Sequence, residues 1–159
     1  MIRIANKDDL RTLSMAARIV ATELHGSGVD QWSDTYPDYP DFEKDLSRDA
    51  LYVVEIDHKV VGSISVLPEN DPYYRLLAWK GYQALVVHRL MVLPEYRRHK
   101  LGTLLFNFAI NKAKNEGYDS IKVDTHPDNM RMQNLIHSVG FKEIGYMPGF
   151  NRIGYEIKF

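Results

Sequence analysis

One stretch, Val86 to Glu116 (VVHRLMVLPEYRRHKLGTLLFNFAINKAKNE), limits what this chain can fold into more than any other. Val86, Val87, Leu90, Met91, Val92 and Leu93 form a nearly continuous apolar run that is too short for a free-standing helix, which predicts a buried strand. Pro94 stops it. From Leu101 onward the apolar residues Leu104, Leu105, Phe108, Ile110 and Ala113 recur at helical spacing, and Gly117 follows the last turns with their Lys112 and Lys114. Strand, basic loop and helix are therefore expected in that order.

The loop between them is Arg97-Arg98-His99-Lys100-Leu101-Gly102-Thr103. It brings several backbone N–H groups and positive side chains to a helix N-terminus, which is an anion site. The helix end alone supplies about 0.3–1 kcal/mol to a nearby negative charge, so the basic side chains carry much of the binding of a pyrophosphate. Gly102 lets the backbone come close to such a ligand. A basic stretch is more often only a solvated turn, but here a strand precedes it directly and an apolar helix follows it directly.

Composition narrows the classes. At 159 residues and 45% hydrophobic, the chain suits one domain over 1–159 with a sizeable core. A formal charge of −1 gives no broad footprint for nucleic acid, so none is expected as a partner and the basic loop reads as a local ligand site. With no cysteine there is neither disulfide nor thiolate chemistry, and the histidines lack the paired spacing of a metal site, so no metal is expected. No run is long enough to span a bilayer, and the N-terminus is not signal-like, so a cytoplasmic protein without membrane association is expected. A homodimer is compatible with all of this.

In chain order, Ile2 to Ile4 is a short strand, and Asn6 with Asp9 is a capping pair for a helix whose apolar face is Leu10, Leu13, Ala17, Val20 and Leu24. Gly26 to Asp41 reads as a loop anchored by Trp32, Tyr36 and Tyr39, and Phe42 to Leu46 as a turn or two of helix. Leu51–Ile56 and Val60–Leu67 form a hairpin around Asp57-His58-Lys59. A second aromatic loop, Pro68 to Tyr82, leads into the central strand. Both aromatic loops can wall a cleft or simply plug the core. Ser120–Thr125 is a strand parallel to the central one; His126-Pro127-Asp128-Asn129 opens a helix ending at Gly140; and Phe141–Met147 with Arg152–Phe159 closes the chain as a hairpin. The fold class is α/β, a twisted mixed sheet flanked by helices.

The loop resembles the acetyl-CoA motif of the GNAT superfamily of N-acetyltransferases, Arg/Gln-x-x-Gly-x-Gly/Ala before a helix. Arg97 and Gly102 match its first and last places, and Lys100 stands where the first glycine is usual. Asn129 followed by a helix ending in Gly140-Phe141 matches a second signature, and the order of elements matches over nearly the whole chain. The resemblance implies an acetyl-CoA-dependent transfer of an acetyl group to a primary amine of a small molecule or peptide. The backbone N–H of Val92 would hold the thioester carbonyl, Met91 and Leu93 would line the pantetheine, Arg97, Arg98, His99, Lys100, Leu101, Gly102 and Thr103 would bind the pyrophosphate, and Asn129 would contact the pantetheine arm. A non-catalytic acyl-CoA-binding module is the alternative.

Such a transfer needs a proton acceptor. A lysine-like amine loses its proton at pH 7 at a cost of roughly 4–5 kcal/mol. His88, on the central strand, leads as the base, with Asp124 and His126 as alternatives. The family often places a tyrosine seven residues after the asparagine as acid; here that place is Ile136, which cannot donate.

Overall fold

A computed structural model describes residues 1–159. The elements are β1 (Ile2–Ile4), α1 (Asp9–Gly26), α2 (Tyr39–Ser47), β2 (Leu51–Ile56), β3 (Lys59–Leu67), β4 (Ala84–Val92), α3 (Leu101–Asn115), β5 (Ser120–Thr125), α4 (Met130–Ser138), β6 (Lys142–Met147) and β7 (Arg152–Lys158), with 3-10 turns at Pro72–Leu76 and Pro94–His99. The strands make a mixed seven-stranded sheet in the order β1-β2-β3-β4-β5-β7-β6, flanked by helices as expected. The chain gathers into two compact units, one of Met1–Ser65 with Arg89–Leu105, the other of Val66–His88 with Phe106–Phe159.

In the first unit, β1, β2 and β3 pair antiparallel, and Asp57 and His58 make the β2–β3 turn with φ of 50° and 64°. Those positive angles match the twist of a two-residue hairpin. The expected capping pair is present: the Asn6 N–H donates to Asp9 Oδ2 at 2.8 Å, and Arg3 grips the same carboxylate through two nitrogens at 2.8 and 2.9 Å. The apolar face of α1 is buried along Leu10, Leu13, Ala17, Val20 and Leu24.

Helix α2 starts at Tyr39, inside the segment that the sequence reads as loop. The cause is a capping box in which Asp38 accepts from the Tyr39 N–H and Asp41 accepts from the Asp38 N–H, both at 2.8 Å. Trp32 is buried, and Arg18 straps the segment by donating to the Ser33 and Pro37 carbonyls. Trp32 thus plugs the core.

Two features shape the end of β4. Arg89 has φ of 48° in mid-strand, the geometry of a bulge. Its Nε and Nη2 each donate to Asp45 at 2.6 Å, its Nη1 donates to the Tyr36 hydroxyl at 3.0 Å, and the Ser65 hydroxyl donates to Asp45 Oδ2 at 2.6 Å. Beyond the bulge, a Cβ on Gly62 would stand 2.7 Å from the Met91 carbonyl oxygen and 3.4 Å from Val92 Cα. Only glycine admits that approach.

In the second unit, β4 pairs parallel with β5, as expected. The register joins Ala84 to Ser120, Leu85 to Ile121 and Val86 to Lys122, and ends there although β4 runs on to Val92 and β5 to Thr125. The antiparallel strand β7 pairs with β5 along its length and carries β6 on its other side. Gly154 of β7 lies opposite both Asp124 and Gly145, making a slot for the segment after Pro72: a Cβ on Gly154 would stand 2.7 Å from both Leu77 and Trp79. Helix α3 buries Leu101, Leu105, Ala109 and Ala113 with Phe106 and Ile110, whereas Leu104, expected on that face, is 44% exposed.

Asp45 is almost wholly buried beside a largely buried arginine. Removing one member of a buried pair leaves the other uncompensated at a cost of about 3–5 kcal/mol. Asp45→Ala is expected to lose stability of that order in denaturant unfolding, and a loss below about 1 kcal/mol would show that Arg89 finds water instead.

Candidate active site

The first unit holds most of the residues expected to meet the acyl donor. Met91 and Val92 end β4 and Leu93 follows, all buried, with the Leu93 N–H donating to the Val61 carbonyl at 2.8 Å. Together with the close approach at Gly62, this bond fixes the backbone on which the Val92 N–H sits. The chain then turns through Pro94–His99, and Lys100 takes φ 55° and ψ 32°, the left-handed conformation. Glycine is favoured in such a place; a lysine there costs about 1–2 kcal/mol and adds a charge. Helix α3 starts at the next residue.

Not every basic residue of the loop is equally disposed. Arg98, His99 and Lys100 are exposed at the helix start. Arg97 forms an ion pair with Glu23 of α1, so part of its role is to tie the turn down. The ring of Tyr96 packs against His99 and takes the Lys59 ammonium 5.6 Å from its centre.

The second unit holds the candidate proton carriers. His88 is half-buried, with Nε2 2.9 Å from the Glu69 carbonyl. Since a carbonyl only accepts, Nε2 is the protonated nitrogen in this contact. Asp124 receives the Tyr74 hydroxyl on Oδ2 at 2.6 Å. Burial pushes the Asp124 carboxyl up to about 6, Asp71 adds to that, and the Tyr74 bond and Arg152 oppose it. Burial, reinforced by Asp124 and Asp71, holds the Tyr74 hydroxyl protonated well above its ordinary range. His126 is buried, accepting from the Asp128 N–H at 3.0 Å.

Asn129 is buried and caps α4, its Oδ1 accepting from the Met132 N–H at 3.1 Å. Ile136 is fully buried in the core. The next residue, His137, points elsewhere and meets the Tyr155 ring edge-on at 5.4 Å, and the Tyr146 hydroxyl donates to Asn151 at 2.8 Å. Among the aromatic residues, Tyr74 and Trp79 stack at 4.9 Å as part of the core, while the part-exposed Tyr73 stacks on Phe150 at 5.1 Å.

Gly62, Arg89, Asp45 and Tyr74 escape sequence reasoning as contributors. A lone glycine inside a strand is a signal of close backbone approach, so Gly62 was within reach. The Arg89–Asp45 and Tyr74–Asp124 pairs join residues far apart in sequence and leave no local mark.

Residues 17–141 match the family model described as Acetyltransferase (GNAT) family. The chain is 32% identical over 109 residues to a probable N-acetyltransferase, camello, of Xenopus tropicalis, covering 67% of this chain and 46% of that protein. It therefore spans less than half the length of that curated relative. Among solved structures, a GNAT-family acetyltransferase from Streptococcus agalactiae superposes with a TM-score of 0.88 at 20% identity, covering 100% of this chain and 95% of that one. The yncA protein of Salmonella typhimurium, whose structure holds its cofactor acetyl-CoA, superposes at 0.71 with 18% identity over 99% of this chain and 92% of its own.

The raised Asp124 carboxyl has a measurable consequence. The folded chain keeps a proton there that the unfolded chain releases near pH 4, so this group's contribution to stability falls as pH rises from about 4 through about 6. Asp124→Asn removes that slope. Melting temperatures of variant and wild type should therefore diverge across the window, the wild type losing ground towards pH 7, and parallel profiles would contradict the assignment.

Proposed function

The chain belongs to the acetyltransferase (GNAT) family, and on that footing we propose that residues 1–159 act as one acetyl-CoA-dependent N-acetyltransferase domain, moving an acetyl group to a primary amine of a small molecule or peptide. The observation that carries this reading is the backbone at Met91–Val92, seated against Gly62 and followed by a left-handed turn into a helix start with exposed cations. The residues fit the donor. Arg98 and Lys100 offer charge, and the His99 ring with the N–H groups of Leu101, Gly102 and Thr103 at the start of α3 offers donors, to the pyrophosphate of acetyl-CoA, with Arg97 bracing the turn. Met91 and Leu93 line the pantetheine, and Asn129 contacts that arm while capping α4.

In this mechanism the Val92 N–H donates to the thioester oxygen and bonds more strongly as negative charge develops there. His88 accepts the proton that the ammonium must lose. The amine then attacks the carbonyl, the C–N bond forms, the C–S bond breaks, and the nitrogen's second proton reaches the thiolate through water. Ile136, buried and apolar, offers no acid.

Release of free thiol from acetyl-CoA with a panel of amines tests the reading. Turnover with at least one primary amine is expected; tight acetyl-CoA binding with no turnover would favour a non-catalytic acyl-CoA-binding module. His88→Gln should lower the turnover number by about a hundredfold or more, as loss of a general base does. Gly62→Ala should lower turnover more than acetyl-CoA affinity, because it displaces the Met91–Val92 backbone rather than the pyrophosphate loop.

A further inference from the structure

One face of β5 carries both Lys122 and Asp124, two residues apart as the strand period requires. The segment running from Asp71 to Gly81 packs over that face. Its Leu77 and Trp79 fill the slot left by Gly154, and its Tyr74 and Trp79 stack. At Lys122 the face is complete in itself. The lysine ammonium lies 4.7 Å over the Trp79 ring, and opposite Lys122 in the ladder stands Glu156, whose oxygens take the Lys80 and Gly81 N–H groups at 2.7 and 2.9 Å.

One step along, at Asp124, it is not. The Tyr74 hydroxyl occupies Oδ2, and Oδ1 accepts no hydrogen bond from the chain. Arg152 acts on this carboxylate at longer range, with Nη1 donating to the Asn151 carbonyl at 2.8 Å and its guanidinium over the Phe150 ring. Asp71 lies on the covering segment, and Lys122 and Glu156 stand one step back on the sheet. The parallel register sets Val86 beside Lys122 and ends there; His88 lies two residues further along β4, as Asp124 does along β5. A half-buried carboxylate aimed by a buried tyrosine is a cation seat.

We propose that Asp124, oriented by the Tyr74 hydroxyl, binds the ammonium group of the acceptor, so that the chain selects amines that arrive positively charged. This rests on the transferase reading. The ammonium donates to Oδ1 of Asp124 and gives one proton to His88. The neutral amine then forms the C–N bond as the C–S bond breaks, and His88 returns its proton to solvent. Asp124 itself stays ionised throughout. An aromatic amine, uncharged at neutral pH, gains nothing from the seat.

A permanently charged alkyltrimethylammonium and its neutral carbon isostere separate this from other roles, since neither is acetylated and neither titrates. Their dissociation constants would be measured by calorimetry on wild type, Asp124→Asn and Tyr74→Phe, with and without His88→Gln to remove the imidazole from the pH dependence. The wild type should prefer the cation at least tenfold at pH 8, with that preference fading as pH falls through about 6. Asp124→Asn should bind both probes alike while acetyl-CoA binds with unchanged affinity. Tyr74→Phe should move the fading to higher pH, because the lost hydroxyl bond favoured the ionised carboxylate, and this carries the test if Asp124→Asn does not fold. A cation preference that survives in folded Asp124→Asn, or its absence in wild type that acetylates an amine, overturns the proposal. Cation preference with no amine acetylated would support the Asp124 seat and contradict the transferase reading instead.

Discussion

The Met91 carbonyl and the Val92 backbone lie so close to β3 that residue 62 has no room for a side chain. Adding one would force a shift of a few tenths of an ångström or more in a strand whose next bond, from the Leu93 N–H to Val61, is already made. Just upstream, the left-handed Arg89 is held by a carboxylate that water scarcely reaches. Burial works against the arginine's charge, yet the two-nitrogen contact with Asp45 outweighs it and keeps the guanidinium firmly protonated. The strand end is thus fixed from both sides, by close packing at Gly62 and by a buried charge pair at Arg89. A backbone N–H that must meet a developing oxyanion is useful only if it does not move, so this rigidity is what the proposed chemistry rests on.

Much of the fold was legible because local signals agreed with one another. The Asp57-His58 turn, the period-two strands β5 and β7, and the capping pair of α1 each follow from a few adjacent residues. The start of α2 was missed because the Asp38–Asp41 capping box sits among prolines and aromatic residues that read as loop. On α3 the buried face follows Leu101, Leu105, Ala109 and Ala113, four apart, and Leu104 falls one residue, about 100°, off that line. Leu105, Ile110 and Ala113 are buried as the spacing predicts, and of the expected face only Leu104 turns out exposed.

The candidate site was legible in a different proportion. The basic loop announces itself, and the unusual Lys100 proves to occupy the backbone conformation for which a glycine would ordinarily be chosen. What a linear reading cannot supply is partnership. Arg97 is tied to Glu23, Asp45 serves Arg89 and Ser65 together, and Asp124 owes its raised carboxyl to a sheet face closed by Tyr74 and Trp79. Each of these hydrogen-bonded pairings joins residues of different elements at least 20 positions apart, so each depends on the completed topology. Among His88, Asp124 and His126, sequence alone left His88 ahead on intrinsic basicity; the structure gives Asp124 a distinct environment, its carboxyl raised by burial and held by the Tyr74 hydroxyl.

A crystal structure of the chain with acetyl-CoA bound tests the central claim most directly, because the claim concerns where the acyl donor lies. The account predicts the acetyl carbonyl oxygen about 2.7–3.1 Å from the Val92 nitrogen, with the pyrophosphate on the N–H groups at the start of α3. A donor bound with its carbonyl turned away from Val92, or with its pyrophosphate remote from residues 98–103, would contradict it.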